Sequence, residues 1–222
     1  LFDTSNYNAN SLNEIENMYL KGYEHFILIH DNLAVSIEYI NALKDEFVQR
    51  NLPVTWSCST RIDLVDEEKL SCMSQAGCTK IYFGIESGSQ ERQRKIGKNL
   101  NVDVIMEKLF LCKKYKIIST RSFIIGFEGE TSNDINSTLE LAIRTTSIGQ
   151  GTTQLHYLIP IAGTKATNAG KNKLVFDEKL ITFLATRSDK IFIDDEERKL
   201  ILDNPMIFSS FYKINSADYQ DK

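Results

Sequence analysis

The most constraining feature of this sequence is a regular alternation of short apolar runs with longer amphipathic segments. Five apolar runs have the length of β-strands, and they lie at residues 25–30, 54–59, 79–86, 119–125 and 152–159. Neighbouring runs begin about 25 to 40 residues apart, which is enough for a right-handed crossover between parallel strands. The alternation predicts an α/β fold with a parallel sheet, and an open doubly wound sheet and a closed barrel both satisfy it.

The segments between these runs carry the periodicity of helices. Helices are predicted at residues 11–20, 36–49, 66–75, 90–96, 102–114 and 132–146. Ser11 followed by Glu14 has the spacing of a capping box, so the first helix is predicted to begin at Ser11. The acidic residues that open the helix at 66–75 suit the positive end of its dipole.

The pattern changes after Thr164, where a polar stretch indicates a loop. Helices are predicted at 177–187 and 194–202, and an aromatic-rich segment follows at 205–214. We therefore expect two parts, a barrel-type domain over residues 1–164 and a C-terminal helical extension over residues 165–222.

The composition excludes several classes of function. The net charge is -4 and the pI is about 5.5, so the chain has no broad basic field for nucleic acid. No apolar run approaches the roughly 18 residues that a membrane helix needs. The opening residues also lack the basic and apolar regions of a signal peptide. We expect a cytoplasmic protein that binds neither nucleic acid nor membrane.

The cysteines are widely spaced and form no CxxC pair; they are Cys58, Cys72, Cys78 and Cys112. Two of them fall in strand-like runs and one on a helical pattern, which predicts buried free thiols rather than disulfides. No metal site is predicted from them, because structural metal loops supply their ligands in close pairs.

Polar or glycine-rich residues follow each predicted strand. These strand ends are His30-Asp31-Asn32, Ser59-Thr60-Arg61, Glu86-Ser87-Gly88, Gly126-Phe127-Glu128-Gly129-Glu130 and Pro160-Ile161-Ala162-Gly163-Thr164. In a parallel barrel the C-terminal ends of the strands carry the chemistry. We therefore expect these residues to converge on one ligand.

Glu86 is the most informative of these residues. A carboxylate at the end of an apolar strand can accept hydrogen bonds from ribose hydroxyls or an amine, and Gly88 would admit a ligand close to the backbone. A loop or helix-capping carboxylate fits the same local pattern. The glycines at 126 and 129 do not form a phosphate loop, because no Gly-Lys-Ser/Thr sequence follows them.

Other polar and aromatic residues are less specific. Lys98 suits either a carboxylate partner or solvent. Tyr82, Phe83 and Phe123 are predicted to be core residues. An ordinary aldolase or hydrolase barrel would need a Schiff-base lysine or paired carboxylates inside the strands, and the strands are predicted to hold neither.

Taken in order, these motifs resemble radical S-adenosylmethionine (radical SAM) enzymes, particularly the branch with cobalamin-binding and methylthiotransferase-like members. The order and spacing agree over about residues 11–164. The resemblance implies a partial (β/α)6 barrel whose first strand leads into a CxxxCxxC loop. Three cysteines there bind a 4Fe-4S cluster, and the reduced cluster cleaves SAM to a 5′-deoxyadenosyl radical that attacks the substrate.

The resemblance also assigns residues of this chain to contacts with SAM. It places Asp31 and Asn32 near the amino group, Thr60 and Arg61 at the third-strand contact, Glu86 at the ribose, Lys98 at the carboxylate, Ile124 and Gly126 beside the adenine, and Ile159 and Pro160 below it. It implies no metal ligand in this chain and leaves the catalytic residues unassigned. Cobalamin is a further candidate cofactor, and the substrate is expected to be a small molecule or a peptide.

The 222 residues contain no CxxxCxxC sequence and do not begin with methionine. In the family about twenty residues separate the cluster loop from the helix that here contains Glu14. Only 13 residues precede Glu14. We therefore expect an excised piece that lacks the first strand, binds neither cluster nor SAM tightly, and dimerises through its open edge. The alternative is a barrel that binds a substrate or partner without redox chemistry.

Overall fold

A computed structural model describes residues 4–29, 36–164, 167–168, 173–177 and 193–214. The strands are β1 (His25–Leu28), β2 (Thr55–Thr60), β3 (Cys78–Glu86), β4 (Ile118–Ile125), β5 (Gly151–Tyr157), β6 (Leu174–Phe176) and β7 (Tyr212–Ile214). The α-helices are α1 (Thr4–Tyr19), α2 (Ile37–Gln49), α3 (Glu67–Gln75), α4 (Gln90–Lys95), α5 (Ile105–Lys114), α6 (Ser132–Thr146) and α7 (Asp195–Asp203). Short 3-10 turns lie at Ile62–Leu64, Val102–Val104 and Ser209–Phe211.

The main sheet is parallel and has five strands in the order β1-β2-β3-β4-β5. This confirms the predicted α/β fold with helical crossovers. Over the residues that the structure describes, the sheet does not close on itself, which agrees with a partial barrel. The second sheet is antiparallel and contains β6 and β7.

The chain forms two compact units. The first contains the described residues up to 85 together with 100–122 and 142–154, and the second contains 86–99, 123–141 and the described residues from 155 onward. The expected boundary at residue 164 stays a prediction.

The helices that border β2 begin where the sequence predicts them. The side chain of Ser36 accepts a hydrogen bond from the backbone N–H of Tyr39 at 3.3 Å and starts α2. Asp66 accepts from the N–H of Lys69 at 2.8 Å and starts α3. Both caps satisfy backbone donors that the first helical turn leaves unpaired.

Two local predictions near the N-terminus were wrong. Helix α1 begins at Thr4 rather than Ser11, since no proline or glycine interrupts residues 4–10 and the helix continues through them. The apolar run at residues 25–30 predicts a buried strand, but Ile27 in β1 is 72% exposed and Ile29, just after it, is 90% exposed. Strand β1 lies at the end of the strand order, and burial depends on covering layers that its own sequence does not reveal.

The C-terminal part is only partly helical. Helix α7 lies where a helix was predicted at residues 194–202, and it begins with a capping box between Asp194 and Glu197. The pairing of β6 with β7 was not predicted, and Phe176 there packs against the ring of Tyr212 at 5.7 Å between centroids. The helix expected at 177–187 lies, apart from its first residue, outside the described residues.

The core of the first unit depends on Trp56. Its side chain is fully buried, and its indole N–H donates to the carbonyl of Ala76 at 2.7 Å. Trp56→Phe leaves that carbonyl unpaired and a void beside it. We expect a loss of about 1–3 kcal/mol in the free energy of unfolding, measured by urea titration with circular dichroism. Phe110→Leu, at a position that is 52% exposed on α5, is the control and should change it by less than about 0.5 kcal/mol.

Candidate functional site

Strand β3 ends at a residue with a carboxylate side chain and a strained backbone. Glu86 has a φ of +68°, the left-handed region that a residue with a Cβ rarely adopts. Its Oε1 accepts from Nζ of Lys98 at 2.8 Å, and the two side chains are 23% and 18% exposed. A strained backbone of this kind costs about 1–3 kcal/mol and is typical of functional sites.

The turn after α4 holds Lys98 against this carboxylate. Gly97 has a φ of +72°, and the N–H groups of Lys98 and Asn99 both donate to the carbonyl of Gln93 at 3.0 Å. The side-chain amide of Gln93 in turn donates to the carbonyl of Ser87 at 2.6 Å. The segment from Glu86 to Asn99 therefore folds back on itself and fixes the distance between the two charges.

Gly88 is required by packing rather than by a ligand. A Cβ at this position would lie 2.3 Å from the carbonyl oxygen of Ser137 on α6. The hydroxyl of Thr138 accepts from the Gly88 N–H at 3.0 Å and lies 2.9 Å from the hydroxyl of Ser87. The interpretation that Gly88 serves ligand approach is replaced by this contact between backbones.

The loop after β4 is closed by its own glutamate. Oε2 of Glu130 accepts from the N–H groups of Gly126 at 2.6 Å and Phe127 at 3.2 Å. Burial raises the pKa of the Glu130 carboxyl, and these two backbone donors partly offset the rise. Gly126 has a φ of +93°, and a Cβ there would meet the ring of Tyr157 at 3.4 Å. The Gly126 N–H is thus engaged within the loop.

A buried ion pair joins the segment after β3 to this loop. Arg92 and Asp134 are 4% and 6% exposed, with 3.2 Å between Nη2 and Oδ2. Asp134 also accepts from the hydroxyl of Ser89 and from the N–H and hydroxyl of Thr131 at 3.1 Å and 3.0 Å. Arg92 also donates to the carbonyls of residues 128 and 129.

These donors determine the charge state of Asp134. Burial would raise the pKa of its carboxyl, but the hydrogen bonds from Ser89, Thr131 and Arg92 hold that pKa at about 2. The folded pKa lies below the ordinary value of 3.8, so the carboxylate stabilises the fold above the unfolded pKa. This contribution is lost as the pH falls through the folded pKa.

The structure shows a partner for some of the predicted site residues and not for others. In the second unit it pairs Glu86 with Lys98, buries Pro160, leaves Ile124 and Ile159 partly buried, and places Gly126 in the closed loop. In the first unit, the buried hydroxyl of Thr60 has no partner among the described residues, and Arg61 binds Asp63 at 2.7 Å. Asp31 and Asn32 lie outside the described residues.

Sequence reasoning missed Arg92, Gln93 and Asp134. Arg92 and Gln93 lie on α4, where charged and polar residues are usually exposed, yet both are buried. Asp134 had a local signal, because an acidic residue near the start of a helix often caps it. Its partner Arg92 is 42 positions away in sequence, and no local signal reveals that contact.

The cysteines are structural thiols, as predicted. All four are free, and Cys58, Cys78 and Cys112 are buried. Contact with Cys58 and burial raise the pKa of the Cys78 thiol, and burial raises that of Cys112 to about 12. Iron–sulfur clusters require thiolates. Within the described ranges no group of three or more His, Cys, Asp or Glu residues could hold a metal ion, so these residues do not fit a 4Fe-4S cluster.

Open parallel α/β sheets bind their ligands at the carboxyl ends of the strands, and Glu86 and the loop after β4 lie at such ends here. Residues 12–142 match the Radical SAM superfamily, which is more than half of the chain. The chain belongs to the radical SAM superfamily.

Several curated proteins are similar over shorter stretches. An uncharacterized methyltransferase from Pyrococcus horikoshii is 33% identical over 94 residues, which is 42% of this chain and 20% of that protein. An anaerobic magnesium-protoporphyrin IX monomethyl ester cyclase from Rubrivivax gelatinosus is 26% identical over 119 residues, 53% of this chain and 21% of that protein. The chain thus spans about a fifth of the length of these relatives.

Solved structures share the fold at low sequence identity. The radical SAM methyltransferase TsrM from Kitasatospora setae, solved with cobalamin and a [4Fe-4S] cluster, has a TM-score of 0.61 and 16% identity over 75% of this chain and 36% of that chain. The archaeal Elp3 of Methanocaldococcus infernus has a TM-score of 0.52 and 16% identity over 73% of this chain and 44% of that chain. Among the described helices none is long and apolar enough to span a membrane.

The Arg92–Asp134 pair gives a test of the site's framework. Asp134→Asn leaves a buried guanidinium without its anion, so we expect a loss of about 3–5 kcal/mol in the free energy of unfolding at pH 7. The difference from wild type should shrink as the pH falls towards 2, because the wild-type carboxylate then protonates. Urea titrations at several pH values measure both effects. Glu91→Gln, which breaks the exposed pair of Glu91 with Lys95, is the control, and equal losses in both variants would contradict the account.

Proposed function

We propose that the protein carrying this chain is a radical SAM enzyme, and that this chain supplies its contacts with the nucleoside and amino acid parts of SAM. The observation that carries the proposal is the Glu86–Lys98 pair at the end of β3, with Glu86 held at a positive φ. When bound, SAM and a reduced cluster supply the radical that attacks the substrate. The members of the superfamily are enzymes.

The residues at the end of β3 fit SAM chemically. A carboxylate that is 23% exposed keeps acceptor positions for ribose hydroxyls beyond the one that Lys98 uses. The ammonium of Lys98 has three N–H donors and can bind a ligand carboxylate while it stays near Glu86. The left-handed backbone of Glu86 fixes the carboxylate before a ligand binds, which lowers the cost of ordering it.

The neighbouring loop suits the adenine side of the ligand. Glu130 already accepts hydrogen bonds from the N–H groups of Gly126 and Phe127. This loop therefore offers a ligand a rigid surface rather than backbone donors. The resemblance assigned Ile124 and Gly126 to packing beside the base, which needs no N–H donor. Arg92 of the buried Arg92–Asp134 pair also holds this loop, because it donates to the carbonyls of residues 128 and 129.

We propose that the cluster ligands lie in a part of the protein that the described residues do not include. The buried thiols of Cys58, Cys78 and Cys112 do not suit this role. We further propose that the protein carries out a cobalamin-dependent reaction on a small molecule. The structures of TsrM with cobalamin and with tryptophan substrate motivate this proposal. We also propose that residues 165–222 form a separate C-terminal extension.

A second candidate function is a binding module without redox chemistry. The observation that favours it is the lack of a metal-binding group among the described residues. This candidate predicts that the anaerobically reconstituted protein binds no SAM and releases no 5′-deoxyadenosine. The radical SAM proposal predicts that this protein binds SAM and releases 5′-deoxyadenosine.

The role of Glu86 is tested with the whole protein that carries this chain, after its iron–sulfur cluster has been reconstituted under anaerobic conditions. A hydrogen bond to a charged group contributes about 1.5–3 kcal/mol, so Glu86→Gln should raise the Kd for SAM at least about tenfold. Isothermal titration measures this Kd. Glutamine at this position keeps the side-chain shape and the same backbone strain.

Glu91→Gln is the matched control for this experiment. Glu91 is the first acidic residue of α4, and its partner is the surface residue Lys95. The Glu91→Gln substitution should leave the Kd for SAM unchanged. An equal Kd for wild type and Glu86→Gln would remove Glu86 from the site.

We further propose that this chain, expressed on its own, self-associates along β1. This strand pairs with β2 on one side, and among the described residues it has no strand on the other. An exposed apolar edge favours pairing with another chain, and a lysine there opposes it. Ile27→Lys should therefore convert a concentration-dependent dimer to monomer in sedimentation velocity, with Val48→Lys on the exposed side of α2 as control. A wild-type monomer at high concentration would contradict this.

A further inference from the structure

The two faces of the first three strands differ in chemistry. The registers pair Phe26 with Trp56, Cys58 with Ile81 and Thr60 with Phe83. Apart from the edge residue Phe26, these side chains are buried. Because side chains alternate along a strand, the opposite face carries a different set, which is His25, Ile27, Thr55, Ser57, Ser59, Lys80 and Tyr82.

This second face, here called the polar face, is unusual for a parallel sheet. Parallel sheets are normally covered by apolar layers on both sides and have apolar residues on both faces. On the polar face Lys80 is exposed and Tyr82 is 37% exposed. The prediction that Tyr82 is a core residue was therefore wrong. A face of this composition suits water or a polar ligand.

Histidine and hydroxyl groups are already ordered on the polar face. The ring of His25 lies across β1 and β2, with Nδ1 2.9 Å from Oγ1 of Thr55 and Nε2 3.3 Å from Oγ of Ser57. Which ring nitrogen carries the proton depends on the tautomer. Either way, the bonds fix the imidazole and the hydroxyl of Ser57 relative to each other.

Lys80 lies next to Ser57 on the neighbouring strand. Its ammonium makes no ion pair or hydrogen bond with the residues that the structure describes. The set of residues on the polar face of β1, β2 and the first half of β3 includes no carboxylate. Among the described residues of β1, β2 and the first half of β3, this face therefore gives Lys80 no counter-charge, and Glu86 at the end of β3 is paired with Lys98.

Thr120 on β4 provides an independent observation. Thr120 is 3% exposed, and its hydroxyl has no hydrogen-bond partner in the described part of the chain. The adjacent Arg121 is fully buried and lies close enough to Cys112 of α5 to interact with it, so Arg121 faces that helix. By alternation Thr120 faces the other way, towards the polar face. Buried hydroxyls without a partner are uncommon and call for one.

We propose that Lys80, Ser57, His25 and Thr120 form a subsite for the anionic group of a small ligand, a carboxylate or a phosphate. Lys80 supplies the counter-charge, and the hydroxyls and imidazole supply hydrogen bonds to the anion's oxygens. The identification of this ligand as the substrate rests on the proposed function. The substrate class is then a small molecule that carries an acidic group.

The test is an NMR titration of the purified protein in the absence of SAM and iron. The ring signals of His25 are assigned with a His25→Asn variant, and sodium phosphate or sodium acetate is added at constant ionic strength. Wild type should show a saturable shift of these signals. Lys80→Gln should raise the Kd at least about tenfold, and Lys80→Arg, which keeps the charge, should retain binding.

Lys21→Gln is the matched control, because Lys21 is an exposed lysine of the same unit that follows α1. It should bind as wild type does. Tighter binding of phosphate would identify a phosphate-bearing ligand, and tighter binding of acetate a carboxylate-bearing one. A shift that does not saturate, or that is equal in wild type and Lys80→Gln, would overturn the subsite. Because SAM is absent, that failure would leave the role of Glu86 unaffected.

Discussion

The candidate cofactor site depends on one buried ion pair, between Arg92 and Asp134. Two charges that are 4% and 6% exposed are tolerated only when hydrogen bonds replace the water that they lose. Here hydroxyls and a backbone N–H surround the carboxylate, and two loop carbonyls accept from the guanidinium. The loop after β4 therefore cannot move without breaking this pair. Its rigidity comes from electrostatics within the second unit rather than from apolar packing.

On this framework the site concentrates strain and charge at the end of β3. The left-handed backbone of Glu86 and the turn at Gly97 bring two opposite charges to 2.8 Å. An arrangement like this costs free energy in the unliganded protein, and a ligand that uses both charges recovers it. Under the proposed function that ligand is SAM, this chain holds and orients it, and another part of the protein supplies the cluster.

Local features of the fold were predictable from the sequence, and tertiary features were not. The caps at Ser36 and Asp66 were correct, because a cap is a contact between residues three positions apart. The exposure of β1 was missed, because burial depends on which layers cover a strand. The burial of Arg92 was missed for the same reason, since its partner lies 42 positions away. Motif order identified the family because it samples many strand ends at once, although each motif alone is weak.

The site residues were predictable to a similar extent. Glu86 and Lys98 were singled out separately, and the structure pairs them. Gly88 was singled out for the wrong reason, since its lack of a Cβ serves the approach of α6. The polar face was overlooked, because a lysine inside an apolar run is hidden by the run's average hydropathy. Only the register between strands placed Lys80 beside Ser57.

The measurement that tests the central claim most directly is a crystal structure of the reconstituted protein with SAM bound. The account predicts a ribose hydroxyl oxygen about 2.6–3.0 Å from a carboxylate oxygen of Glu86, with the Gly126 N–H still bound to Glu130. A SAM molecule whose ribose hydroxyls contact other residues, with Glu86 still bound only to Lys98, would contradict it.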